Sequence, residues 1–347
     1  MRIVLATGMI LVYAIVHGQQ NGFAIRERKE QQQVNILFNG KLLTAYCYYD
    51  SSRKPVLFPV NTTDGIAVTR SYPFAIVPGE RTDHPHHTGI WLNYESVNGL
   101  DFWNNSTAIP VEKRNHYGTI RHRAITEKIA GSTTASLAVT AAWDRPDGTT
   151  LLEEQTRFYF SVKGRSFIID RVTTLTALDS VVVFRDVKDG LFAIRVAREL
   201  EMPTKEATGF VDDKGNLTMV KRSDSSGASG MYYSSEGLSG DSVWGSQGRW
   251  VMLQGIKQGK PVTIGIIDHP GNTGYPAYWH ARGYGLFAIN PLGRKIFSKN
   301  NGELNLSLAP RTAVTFRYRV VIHSGHQLAA TEMNEFADEF AKSKITL

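Results

Sequence analysis

A single cysteine, Cys47, stands in 347 residues, which excludes an intramolecular disulfide framework and any multi-cysteine zinc or iron–sulfur site. No block of five or six like charges occurs, and the excess of 39 Lys and Arg over 32 Asp and Glu, a net charge of +7, is spread along the chain. No nucleic-acid partner is expected, because such proteins gather basic residues into a stripe. No internal repeat is visible, which argues against solenoids and propellers. After the N-terminal segment no apolar run approaches the roughly 20 residues of a membrane-spanning helix. A Gly-x-Ser-x-Gly elbow is missing, and so is a glycine-rich phosphate fingerprint ahead of a helix.

What is present begins with a leader-like segment. Met1-Arg2 precedes the apolar run Ile3–Val16, and Val16-His17-Gly18 supplies the small or medium residues of a cleavage site. Residues 1–18 are therefore expected to be a secretory signal, the mature chain beginning at Gln19 and residing in the periplasm or outside the cell. The rest reads as strands. Val34–Phe38, Asn39-Gly40 and Lys41–Tyr49 form a hairpin pattern whose Asn-Gly suits a type I′ turn. Further apolar or alternating runs fall at Gly118–Ile129, Ala135–Trp143, Leu151–Val162, Phe167–Leu175, Val181–Phe184, Leu191–Val196, Arg249–Leu253, Val262–Ile267, Leu286–Ile289 and Ala313–Ile322. Short turns join many of them, and no helices separate them as a parallel sheet would require. The expectation is all-β: one large antiparallel β-sandwich over residues 19–347. A single helix is expected near the C-terminus, where Leu328, Met333, Phe336, Ala337 and Phe340 follow a helical period. Thr204–Gly245 is polar and rich in Ser, Gly and Asp, either a connection between sandwich halves or a loop covering a site.

Chemistry-bearing residues gather in two places. Three of the ten histidines fall within His84-Pro85-His86-His87, followed by Thr88-Gly89-Ile90-Trp91 and Asn98–Trp103. In an extended segment His84 and His86 would point to one side and His87 to the other, offering proton transfer or metal ligation from a His-x-His pair. Pro85 would stiffen that extension. The second cluster is Asp268-His269-Pro270, Tyr278-Trp279-His280-Ala281-Arg282 and Tyr284–Phe287, ending at Asn290-Pro291. Aromatic rings beside His and Arg make a sugar platform, and Arg282 could hold a carboxylate or an enolate oxygen. The alternative is that these are core aromatics and a structural ion pair. Candidate catalytic residues are thus His86, His280, Arg282 and Glu154. Candidate sugar contacts are Trp91, Trp103, Tyr278, Trp279 and Asn290, and His84, His86, His269 and His280 could bind one divalent metal ion. The carboxylates Glu153, Glu154, Asp170, Asp186 and Asp189 lie on or near strands, and sequence supplies no distance between any two.

The run His84–Trp91 with Asn98–Trp103, then Lys188-Asp189-Gly190, Arg195-Val196-Ala197, Trp244-Gly245, Arg249-Trp250, His269-Pro270, Tyr278–Arg282 and Tyr284–Phe287 with Asn290-Pro291, resembles a bacterial family labelled methane oxygenase PmoA-like. Thr88 departs from its usual Arg, and Asn272–Pro276 from its usual charged stretch. The resemblance spans about Phe23 to His323 and implies an exported protein with a role in carbohydrate breakdown. Methane oxidation is not implied, since the membrane subunit of that name is a bundle of transmembrane helices. The inferred architecture is also similar to the β-supersandwich of aldose mutarotases and several polysaccharide lyases. Three readings follow: cleavage of a glycosidic bond by a hydrolase or a lyase, the latter at an oxidised sugar; a mutarotase or epimerase; and a non-catalytic sugar-binding protein. In each the partner is a carbohydrate.

Overall fold

The computed structural model describes residues 21–204, 208–211, 214–220, 227–298 and 300–347; the signal-like segment lies outside them. The strands run β1 (Phe23–Arg28), β2 (Gln33–Phe38), β3 (Lys41–Cys47), β4 (Val56–Val60) and β5 (Ile90–Tyr94). A long meander follows: β6 (Thr119–Ala130), β7 (Thr134–Asp144), β8 (Thr150–Lys163) and β9 (Ser166–Ala177). Next come β10 (Val182–Phe184), β11 (Gly190–Arg195), β12 (Thr208–Val211), β13 (Leu217–Val220), β14 (Met231–Ser234), β15 (Trp250–Lys257) and β16 (Lys260–Asp268). The chain closes with β17 (Tyr278–Arg282), β18 (Leu286–Asn290), a single turn α1 (Arg294–Phe297), β19 (Leu306–Leu308), β20 (Ala313–Ser324) and α2 (Ala330–Lys342).

Two eight-stranded sheets result, ordered β1-β2-β3-β4-β5-β11-β18-β17 and β14-β15-β16-β20-β9-β8-β7-β6. The strand pairings are antiparallel, as the short connections between the expected strands require. Local chemistry explains the elements. At Asn39-Gly40 both φ angles are positive, 48° and 77°, the geometry of the expected type I′ turn between β2 and β3. On β8 the residues Leu152, Glu154, Thr156, Phe158 and Phe160 are buried on one face, while Glu153 and Gln155 are exposed on the other.

The core between the sheets takes Val34, Leu92, Phe192 and Phe287 from the first and Trp143, Phe158, Ile264 and Tyr318 from the second. Phe192 stacks on Tyr318 at 4.9 Å across the interface. Helix α2 covers the outer face of the second sheet, where Met333, Phe336, Ala337 and Phe340 pack on Ile168, Trp250, Met252 and Val321. Glu332 fixes its start by accepting the Ala329 N–H at 2.8 Å. The outer face of the first sheet carries a separate small cluster, Trp91, Trp103, Ala193, Leu286 and Ala288, and there the chemistry gathers. The polar stretch Thr204–Gly245 is not one continuous loop: β12 pairs with β13, and β14 joins the edge of the second sheet.

Gly265 on β16 forms the socket for Met333; a Cβ there would stand 2.5 Å from the Met333 methyl carbon. Met333→Ala empties that socket and is expected to lower stability by about 2–5 kcal/mol in denaturant unfolding. A loss under about 0.5 kcal/mol would mean that α2 does not stabilise the sheet.

Candidate active site

Strand register assembles the site. Trp91 pairs with Ala193, Ala193 with Ala288, and Ala288 with His280, so these four form one row across β5, β11, β18 and β17. Two alanines set the indole and the imidazole apart along this row, and all four residues are buried. In the next row, Arg195, Leu286 and Arg282 are paired in the same way. The turn before β11 can lie close to β5 because residue 190 is glycine; a Cβ there would fall 2.2 Å from the Tyr94 ring.

Over this face lies the histidine segment, and it is not extended. The His87 N–H donates to the His84 carbonyl at 2.9 Å, closing a turn with Pro85 at its second position, where the fixed φ of proline suits a turn. The buried Arg70 guanidinium holds it, donating to the backbone carbonyls of Asp83, His84 and His87 at 2.8, 2.9 and 3.1 Å. Arg70 and Arg195 both donate to Asp83 Oδ1 at 2.7 Å, and His84 Nδ1 lies 2.8 Å from Oδ2. Burial pushes the Asp83 carboxyl up, but the His84 hydrogen bond and then the Arg195 and Arg70 charges hold it well below the usual carboxylate range. The His84 ring stacks between His87 at 4.8 Å and Tyr284 at 5.1 Å, which joins the two histidine segments directly. His86 meets the His87 ring edge-on at 4.3 Å. Burial, reinforced by neighbouring cations, depresses the pKa of both His86 and His87 and keeps them neutral. Among the described residues the His86 Nε2 atom is buried without a hydrogen-bond partner.

At the other end of that row, His280 Nδ1 stands 3.3 Å from Asp189 Oδ1. Among the described residues Nδ1 is buried without a hydrogen-bond partner. Burial, then the charges of Lys188 and Arg282, push His280 down to about 3. Burial raises the Asp189 carboxyl; Lys188 opposes this and Asp101 adds to it, and His84 is also within electrostatic reach. A neutral imidazole beside a carboxyl whose proton affinity burial raises is an arrangement that acid–base chemistry uses, the imidazole as a hydrogen-bonding group and the carboxyl as the base. Trp244 stands over the pair, 6.5 Å from the His280 ring and 5.7 Å from the Arg282 guanidinium carbon. Beside it opens a cavity of about 400 Å³ whose walls include Asp83, Asp241, Trp244, Arg282 and Tyr284.

Several expected residues stand elsewhere or do other work. Glu154 faces the sandwich interior, bound to Arg171 at 2.7 Å and to the Trp143 N–H at 2.8 Å, with the first sheet between it and His280. His269 sits on the second sheet against Phe340 of α2, apart from the other histidines, so the four-histidine metal set is not assembled. Among the described residues no three His, Cys, Asp or Glu side chains are grouped to hold a metal ion. Trp279 points into the core, its N–H on the Gly248 carbonyl, because it alternates with His280 along β17. Trp91 and Trp103 are fully buried under His87 and support it. Asn290 spends its amide on the carbonyls of Val187 and Lys188 and on the N–H groups of Leu292 and Gly293, which positions Asp189. Tyr278 lines a separate cavity of about 380 Å³ and stacks on Phe297. Sequence reasoning passed over Asp83, Arg70, Arg195 and Trp244 as site residues and ranked Asp189 with ordinary strand carboxylates. Asp189 was marked only as part of the Lys188-Asp189-Gly190 motif of the family resemblance.

Lys54 is also buried beneath the site, donating to the His86 carbonyl at 2.6 Å, and burial lowers its pKa to about 7. Between pH 7 and its ordinary value of 10.5 the unfolded chain holds a proton that the folded chain lacks, so stability rises with pH across that window. Lys54→Met is expected to flatten the rise in denaturant unfolding between neutral and alkaline pH; an unchanged slope would mean that Lys54 is solvated.

Among solved structures, the galactosidase domain of an alpha-galactosidase-sucrose kinase, AgaSK, aligns with 87% of this chain and 42% of its own, at 8% identity and a TM-score of 0.40. The chain thus spans well under half the length of that protein. A galactose mutarotase related enzyme from Lactobacillus acidophilus aligns over 88% of this chain and 99% of its own, at 9% identity and a TM-score of 0.32. A putative aldose 1-epimerase from Escherichia coli K12 does so over 87% and 98%, at 7% identity and a TM-score of 0.36. No curated protein matches the sequence. The family described as a family of unknown function, DUF6807, matches residues 33–338, from β2 into α2, and the chain belongs to it.

Proposed function

We propose that the chain is an exported carbohydrate-active enzyme that cleaves a glycosidic bond by elimination at an oxidised sugar. The observation that carries this reading is the Asp189–His280 pair, 3.3 Å apart, with Arg282 two residues further along the same face of β17. Elimination needs a base for a C–H beside a carbonyl and a positive or hydrogen-bonding group for the enolate oxygen. Asp189, its carboxyl raised by burial, takes the proton. Arg282 and the neutral His280 hold the enolate oxygen. The electron pair then forms the C=C bond as the C–O bond one carbon further breaks, and the proton on Asp189 passes to the leaving oxygen. Asp83 is unsuited to that part, because two arginines and His84 occupy its oxygens and make it a weak base. Trp244, which is exposed, offers its ring to the sugar at the cavity wall.

The test is a panel of aryl glycosides and their keto derivatives, followed by chromatography and NMR. The expected result is release of the aryl alcohol from a keto glycoside, lost by at least about 100-fold in Asp189→Asn and His280→Ala while ligand still binds. Anomeric exchange of free sugars with no bond broken would replace this reading by mutarotation. Saturable binding with no turnover across the panel would replace it by sugar binding alone.

A further inference from the structure

A second cavity, about 460 Å³, opens between the end of β3 and the start of β6, at the side of the sandwich and apart from the His280 face. Its walls include Tyr48, Tyr49, Arg53, Arg121, His122 and Arg123. The volume lies in the range of small-ligand sites. We propose that it binds an anionic sugar, a pyranose ring bearing a carboxylate or a sulfate.

Charge argues for the anion. Arg121 and Arg123 both donate to the same carboxylate oxygen, Asp144 Oδ2, at 3.0 Å, so one buried acid serves two guanidinium groups. Arg53, by contrast, makes no side-chain hydrogen bond or ion pair among the described residues. Its backbone is left-handed, φ 60°, at the end of the turn Asp50–Ser52, and its carbonyl accepts the Ile120 N–H at 3.0 Å, tying the two walls together. Asp50 is the acid in the lining, and Gln32 donates to it at 3.3 Å. The cavity therefore carries excess positive charge, with the Arg53 fork open to a planar or tetrahedral anion and Arg121 and Arg123 sharing one acid beside it.

Shape argues for the ring. Tyr48 packs on His122 at 4.3 Å, and His122 is held from behind by the Tyr46 hydroxyl at 3.1 Å from Nδ1. That makes a fixed aromatic wall for sugar C–H groups beside the cationic one. Lys54 lies in the same wall but turns its ammonium toward the His86 carbonyl, so it is not counted among the anion's partners. The site stands on different residues from the Asp189–His280 pair, and neither depends on the other.

The test is calorimetric titration of the full chain with a uronic-acid disaccharide, a sulfated disaccharide and an uncharged disaccharide, at low and high salt. The proposal expects saturable binding of a charged sugar that weakens with salt, and none of the uncharged one. Arg53→Gln and Arg123→Gln should each weaken it by about tenfold or more, and His280→Ala should leave it unchanged. Binding of the uronate alone or of the sulfated sugar alone identifies which anion the cavity takes. The half-buried Arg53 side chain has no partner among the described residues, so its variant should unfold at the wild-type temperature and the comparison stays valid. Affinity unaltered in both arginine variants, loss of affinity in His280→Ala, or no saturable binding of either charged sugar would each overturn it.

Discussion

The site rests on one buried guanidinium. Arg70 is 1% exposed, and its two terminal nitrogens gather the carbonyls of Arg81, Asp83, His84 and His87 together with the Asp83 carboxylate. A charge removed from water must be compensated by close partners, and here the partners are the backbone of the histidine turn itself. The turn thus wraps around Arg70 as the condition for burying it. Arg195 supplies the second cation on Asp83 and lies 3.3 Å from His87 Nδ1, so the same acid fixes the turn to β11. Strain accompanies this: His84 has φ 45°, and Gly89 approaches the Leu57 carbonyl so closely that a Cβ would stand 2.2 Å from its oxygen.

The consequence is a face of unlike halves. On the Asp83 side, cations hold a carboxylate ionised and fully occupied. On the Asp189 side, burial and the neighbouring acid Asp101 raise the carboxyls of both Asp189 and Glu95, and His280 is kept neutral. One half fixes shape and the other is free to exchange protons, a separation set by which acid has arginines beside it.

Much of the fold was legible because it depends on local pattern. Asn39-Gly40 marked its turn, the alternation along β8 marked its buried face, and the helical spacing of Met333, Phe336 and Phe340 marked α2. The polar stretch from Thr204 misled, because short strands pairing at sheet edges carry little apolar signal. For the site, sequence found the two histidine segments, which do meet through the His84–Tyr284 stack. It misjudged orientation and distance. Pro85 was read as stiffening an extended run, whereas Arg70 bends that run into a turn from fourteen positions away. Glu154 and His269 were grouped with the site by residue type, and the sheet order puts them on other faces. Asp189 was nearly invisible, since its role comes from strand register and from Asn290 anchoring its loop.

The central claim is that Asp189 removes a proton from carbon while a glycosidic bond breaks. Turnover of a keto glycoside in deuterated water, followed by proton NMR, tests it most directly. The account predicts that the proton on the carbon beside the carbonyl disappears in step with release of the alcohol, and that an unsaturated sugar accumulates. Release of the alcohol with that proton retained and a saturated product would contradict it and mark the reaction as hydrolysis.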